Sequence, residues 1–314
     1  MNDTVLVLTL AAAIAAGTPL ALAALGELIT ERAGILNLGV EGMMLLGAVT
    51  TFLVSSATGS PWTGLVVGSL AGAALASAHA FLSISLRANQ IVSGLALVIF
   101  GTGLSTFLGR PVEGIPLPPA ARLPGLDLPG LAELPLVGPV LFSQDVVVYA
   151  TWVLAGLTAF YLFRTRPGLA LRAVGESPAT ADVMGLRVTA IRYLHTILGG
   201  VLCGAAGAYL MLARVPAWSQ AATTNGIGFI AIALVVFASW RPWRALLGAY
   251  LFGLALRANL ALQAAGLTAI PAEFLAMTPY LLTILVLVGL SFSDLRRRAG
   301  APEALGVAYA REER

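Results

Sequence analysis

Apolar runs long enough to cross a bilayer recur along almost the whole chain, and few folds are open to such a sequence. The runs occupy residues 4–25, 38–56, 62–86, 90–109, 145–164, 192–212, 226–240, 245–262 and 274–292. A helix of about 20 apolar residues spans the hydrocarbon core. There every backbone N–H and C=O must find an internal partner, which leaves helices or closed barrels. Runs of this length read as helices. The expected fold class is therefore all-α: a polytopic membrane protein with about nine transmembrane helices. Composition agrees, because 58% of residues are hydrophobic and 11% charged, against roughly a quarter charged in soluble domains. The first run lacks a basic leader and a small-residue cleavage site, so it reads as a retained span.

One stretch departs from this pattern. Residues 26–47, GELITERAGILNLGVEGMMLLG, carry polar groups well into the second run, among regularly placed glycines. Irregular backbone at membrane depth survives only when buried in protein or lining a cavity. The stretch thus predicts a broken helix beside a translocation path, with Gly34, Gly39 and Gly42 as its breaking glycines. Glu41 lies one turn beyond Asn37, so both face one side if the helix resumes there. Glu27, Glu31 and Arg32 either belong to this polar site or snorkel to the interface. A later stretch, 219–240, partly echoes the first, with Asn225, Gly226 and Gly228 leading into an apolar segment. Transporters often place substrate where two such breaks meet. Gly199, Gly200, Gly204 and Gly207 form a small-residue face suited to close helix packing. His79 and His195 read as hydrogen-bonded structural residues.

All 18 basic residues are arginine. Without lysine there is no P-loop for nucleotide phosphates and no Schiff-base chemistry. Cys203 stands alone in an apolar run, so neither a disulfide nor a metal cluster is expected. No catalytic residue, metal site or cofactor is assigned. The net charge of +3 needs no nucleic-acid partner, since membrane topology accounts for the arginines. With the N-terminus outside and the C-terminus cytoplasmic, every arginine lies inside except Arg110, Arg122 and Arg214, which fall outside, and Arg257, within a span. Trp62, Trp218, Trp240 and Trp243 fall at span ends, where interfacial anchors are expected.

Two connections are long. The external one, 110–144, is too rich in Pro and Gly for a long helix; it reads as a surface cap or a docking surface. The internal one, 165–191, contains Ser177 as an N-cap before Pro178, and Gly185 as a C-terminal glycine. A short helix held between two spans suits a groove on another protein. The expected division is a transmembrane permease domain, 1–292, and a cytoplasmic tail, 293–314.

The run GELITERAGILNLGVEGMMLLGA resembles the signature of inner-membrane permease subunits of bacterial ABC importers for simple sugars, nucleosides and branched-chain amino acids. Its form ERAGILNLGVEGMMLLGA is most similar to the nucleoside and simple-sugar branch. LRAVGESPATADVMGL resembles the segment through which such permeases engage their ATPase, and NGIGFIAIALVVFASWRPWRALLGAYLFG and PYLLTILVLVGLS match the same branch. The resemblance implies a type II ABC importer-like fold and uptake by alternating access. It implies a homologous second permease, a cytoplasmic ABC ATPase and an extracytoplasmic solute-binding protein as partners, besides the lipid bilayer. It places Gly175, Glu176, Ser177, Ala181 and Gly185 in the ATPase-coupling segment. Asn37, Glu41 and Asn225 are the candidates along the substrate path. An ion-coupled secondary transporter and a permease for branched-chain amino acids are the alternatives.

Overall fold

The computed structural model describes residues 3–215, 217–219, 223–264, 277, 281, 284–285, 288 and 300–310. Ten α-helices follow one another: α1 (Asp3–Arg32), α2 (Val40–Thr58), α3 (Pro61–Ala80), α4 (Gln90–Gly109), α5 (Val146–Arg164), α6 (Arg166–Glu176), α7 (Pro178–Val183), α8 (Val188–Tyr209), α9 (Ile227–Phe237) and α10 (Pro242–Ala264). Among the described residues, six helical stretches are long and apolar enough to cross a membrane, from Leu6–Arg32 to Val188–Arg214. α3 and α8 are each extended by a five-residue wide turn, Phe81–Ser85 and Leu210–Arg214. The run expected at 226–240 yields only the 11 residues of α9, about half a bilayer core at ~1.5 Å per residue. Of the run expected at 274–292, only residues 277, 281, 284–285 and 288 are described, so no helix is bounded there.

Local chemistry sets the helix ends. Ser60 caps α3 ahead of Pro61, Asn89 caps α4, and Asp145 caps α5, each accepting backbone N–H groups of the first turn. Gly59, at φ 69°, closes α2 in the left-handed conformation and turns the chain into α3.

α8 packs against α1, α2 and α3. In lipid no hydrophobic force draws helices together, so dispersion between closely approaching backbones must hold them. The small residues of α8 supply that approach. A Cβ on Gly72 would lie 2.6 Å from the Cα of Gly204, and one on Gly199 would lie 2.6 Å from the carbonyl of Gly26. The small-residue face expected from sequence is therefore a packing face.

The external connection is irregular, apart from short turns and one antiparallel pair, β1 (Gly125–Asp127) with β2 (Ser143–Asp145). It is pinned at Trp218, whose backbone joins Gly114 and Ile115. Two tryptophan expectations are corrected here. Trp218 is fully buried and Trp240 nearly so, whereas Trp62 and Trp243 are exposed. The buried pair fills protein space and anchors no interface.

Candidate functional site

The first break begins where α1 ends at Arg32. Gly34 takes φ +81°, a left-handed conformation open to glycine at little cost. The chain then turns back along α1, for the N–H of Asn37 donates to Glu27 Oε1 at 3.0 Å. Glu27 lies five residues before Arg32, about 7.5 Å up the helix, so 33–39 re-enters the protein. Asn37 Oδ1 accepts the N–H of Gly39 at 2.9 Å, a turn that asparagine closes with its own side chain. Gln90 accepts the N–H of Leu36 at 2.7 Å, and His79 Nε2 lies 3.1 Å from the Leu36 carbonyl. His79 also contacts Ser93, while His195 bridges the Ile191 carbonyl and Tyr161. Both histidines are stitches between elements.

Three expectations need correction. The helix resumes only at Val40, so Asn37 sits in the turn and shares no helical face with Glu41. Gly39 is the residue before α2, at φ −78°, and Gly42 lies inside α2, where a Cβ would fall 2.5 Å from the Leu97 carbonyl of α4. Of the three glycines, Gly34 alone bends the break, and Gly42 instead admits a neighbouring helix. Glu27, Glu31 and Arg32 do not snorkel: all three are buried. The indole of Trp240 donates to Glu31, and Arg32 Nη2 donates to the Trp240 carbonyl at 3.2 Å.

The second break precedes α9. Asn225 and Gly226 both take positive φ, 46° and 79°. N–H groups at the start of α9, which have no partner within the helix, then point at Glu41. Its Oε1 accepts from the Thr224 hydroxyl and from the Gly226 N–H at 3.0 Å, and its Oε2 accepts from the Gly228 N–H at 2.7 Å. Glu41 also stands in the first turn of α2. One carboxylate thus serves the positive ends of two helices, where negative charge is favoured. Gly228 is required for this approach, since a Cβ would lie 2.6 Å from Glu41 Oε2. The two stretches that echo each other in sequence meet in space at this junction. Glu41 is buried within it, Asn37 is buried in the first break, and Asn225 is exposed at the edge of the junction.

The third element is the segment after α5. Thr165 caps α6, with Pro167 in the first turn. Sequence reading missed this helix, although Thr-Arg-Pro-Gly is a start signal. Ser177 caps α7, as expected, and Gly185 closes it at φ +84°. Gly175 packs directly on the carbonyl of Arg32. Ala181 is buried in a small cluster with Val174 and Val188. Val183 and Met184, at 71% and 77% exposure, present apolar surface at the end of α7. Glu176 is exposed and accepts the N–H of Glu303 at 3.3 Å.

The tail folds back onto this region. The N–H of Gly306 donates to the Gly34 carbonyl at 3.2 Å, and that of Ala304 to the Gly175 carbonyl at 3.0 Å. Arg32 Nη1 donates to the Gly300 carbonyl at 3.0 Å and Arg192 Nη1 to that of Val307 at 3.3 Å. No sequence pattern announced this contact.

Interrupted helices survive at membrane depth only when buried in protein or lining a cavity, and here two of them meet among membrane-length helices. That defines a multi-pass membrane protein. Residues 9–288 match the model of the branched-chain amino acid transport system / permease component family, and the chain belongs to that family. It is 44% identical over 96% of its length, and 97% of the relative, to a putative glucose ABC transporter permease protein of Haloferax volcanii. It is 37% identical to the guanosine ABC transporter permease protein of Bacillus subtilis, over 94% of each chain. It is 36% identical to the nucleoside ABC transporter permease protein of Lactococcus lactis, over 93% of each. No solved structure matches the chain. The chain is an ABC importer permease subunit of the inner membrane, not an enzyme; the family works with an ATPase and a solute-binding protein.

Proposed function

We propose that the chain forms half of the path by which an ABC importer takes up nucleosides or simple sugars, with a homologous second permease supplying the other half. The observation that carries this reading is the junction of the two breaks at Glu41, with the exposed Asn225 at its edge. Neutral polar solutes need amides and hydroxyls rather than naked charge. Asn225 offers an amide for contact, while Asn37 and Glu41 hold the wall that presents it. Gly34 and Gly39 shape that wall, and Gly42 sets its distance from α4. The relatives for guanosine, nucleosides and glucose favour this solute class over branched-chain amino acids.

In this reading α7 is the ATPase-coupling helix. Gly175, Glu176, Ser177, Ala181 and Gly185 position it, and Val183 and Met184 enter the ATPase groove. The chain has nine spans, with the N-terminus outside and the C-terminus cytoplasmic, as the arginine distribution favours. Residues 1–292 are the permease domain and 293–314 a cytoplasmic tail. The connection 110–144 faces the solute-binding protein. ATP binding drives alternating access because it favours one global state over another. Against the ion-coupled alternative stands the carboxylate of Glu41, already held by three donors.

The test is reconstitution in proteoliposomes with the second permease, the ATPase and the binding protein. ATP-dependent uptake of labelled nucleoside or sugar, insensitive to uncouplers, is expected. Uptake by this chain alone, or uptake abolished by uncouplers, rejects the reading.

A further inference from the structure

We propose that residues 300–309 form a strap that carries movement of the α6–α7 segment to the first break, so that the tail is a positioning element of the transport cycle. The inference rests on the coupling role proposed above for α7.

The strap touches α1, α6, the first break, α8 and the seat of α7 in turn. At one end the Gly300 carbonyl receives Arg32, the last residue of α1. In the middle the Ala304 N–H satisfies the Gly175 carbonyl, one of the last carbonyls of α6 that no residue of the helix itself can satisfy. Two residues on, the Gly306 N–H holds the carbonyl of Gly34, the residue that bends the break. Beyond it the Val307 carbonyl takes Arg192 Nη1 in the first turns of α8. Tyr309 then packs against the cluster of Val174, Ala181 and Val188 that seats α7.

The chemistry favours a fixed strap over a loose tail. Arg32 and Arg192 are 7% and 2% exposed, so each guanidinium depends on protein carbonyls in place of water. The strap supplies one to each. Ala304 is itself buried, at 7% exposure. Gly306 takes φ +77°, and that conformation aims its N–H at Gly34. α6 meets α1 where Gly175 packs on the Arg32 carbonyl, and a Cβ on Gly34 would fall 3.5 Å from the Gly175 Cα. The strap adds hydrogen bonds to both glycine carbonyls and so ties this contact down. It lies beyond the residues matched by the family model, which end at 288.

The experiment uses the full reconstituted complex and compares wild type, Gly306→Pro, Gly306→Asn and a deletion of residues 301–314. Proline removes the N–H and cannot adopt positive φ; asparagine keeps both. Hydrogen exchange at the Ala304 amide reports whether the strap is seated. Solute taken up per ATP hydrolysed reports coupling. Gly306→Pro and the deletion are expected to assemble and hydrolyse ATP while uptake per ATP falls about fivefold or more, the scale of an ordinary coupling free energy. Gly306→Asn is expected to restore protection and coupling. Wild-type uptake per ATP in Gly306→Pro with Ala304 unprotected overturns the strap. So does failure of both Gly306→Pro and the deletion to assemble, which makes the tail a folding element. No ATP-driven uptake in the wild-type complex is instead the failure of the transport reading, and the strap's role falls with it.

Discussion

The two breaks differ in how they are held. The first, 33–39, is tied from several directions: to Glu27 on α1, to His79 and Gln90 at the turn between α3 and α4, and to Gly306 in the tail. In the second, among the described residues, three donors converge on one side chain: Glu41 accepts from Thr224, Gly226 and Gly228. A loop with many separate ties tolerates the loss of one. A helix end that converges on a single buried carboxylate does not. The first break is therefore framework, and the second is the place where one substitution has the greatest leverage.

Replacing Glu41 with alanine tests this most severely. It strands two backbone N–H groups and a hydroxyl in a buried site, at a cost of about 1–3 kcal/mol for each unsatisfied group. A total loss of about 3–5 kcal/mol is expected, in the range of the severest single substitutions, together with loss of uptake. Thermal unfolding of the purified complex measures the first and proteoliposome flux the second. Glu41→Gln retains an acceptor and is expected to fall between alanine and wild type. Gly228→Ala attacks the same contact from the other partner. Its methyl would lie 2.6 Å from Glu41 Oε2 and 2.7 Å from the Glu41 Cα, an overpacking worth about 1–3 kcal/mol.

Gly185→Val lies outside both breaks and serves as the contrast. Nothing lies within 4 Å of the added Cβ, but φ is +84°, so the cost is backbone strain of about 1–2 kcal/mol. ATP hydrolysis is expected to continue while uptake falls; normal uptake would remove Gly185 from the coupling segment. Asn37→Ala is expected to be the mildest. It deletes the acceptor for the Gly39 N–H, worth about 1 kcal/mol, and leaves the other ties of the first break. Reduced flux in an assembled complex is the expected result. If Asn37→Ala proves more damaging than Glu41→Ala, the contrast between the breaks is reversed.

The parts of the fold legible in sequence were those encoded locally. Eight apolar runs reappear as helices because length and hydropathy act residue by residue. α7 was readable from Ser177, Pro178 and Gly185, which act on their immediate neighbours. Apart from α6 and the start of α2, which local signals could have marked, the misreadings concern partners far along the chain. The echo between 26–47 and 219–240 was visible, yet the bond from Glu41 to Gly228 joins residues 187 positions apart, which no local pattern encodes. Glu27, Glu31 and Arg32 looked interfacial because they border an apolar run; Trp240 and Gly300 enclose them from elsewhere. The tail carried no periodicity, and its backbone amides and carbonyls do the bonding, so side-chain identity held little information.

The glycine contacts around α8 have a mechanical consequence. Dispersion between touching backbones fades within about 1 Å of separation, so helices joined this way are either seated or apart. Gly26 against Gly199 and Gly72 against Gly204 therefore weld α1, α3 and α8 into one stiff body. Such a body can rotate as a whole but cannot shear internally. Any rocking of the subunit must be taken up at its margins, outside these contacts.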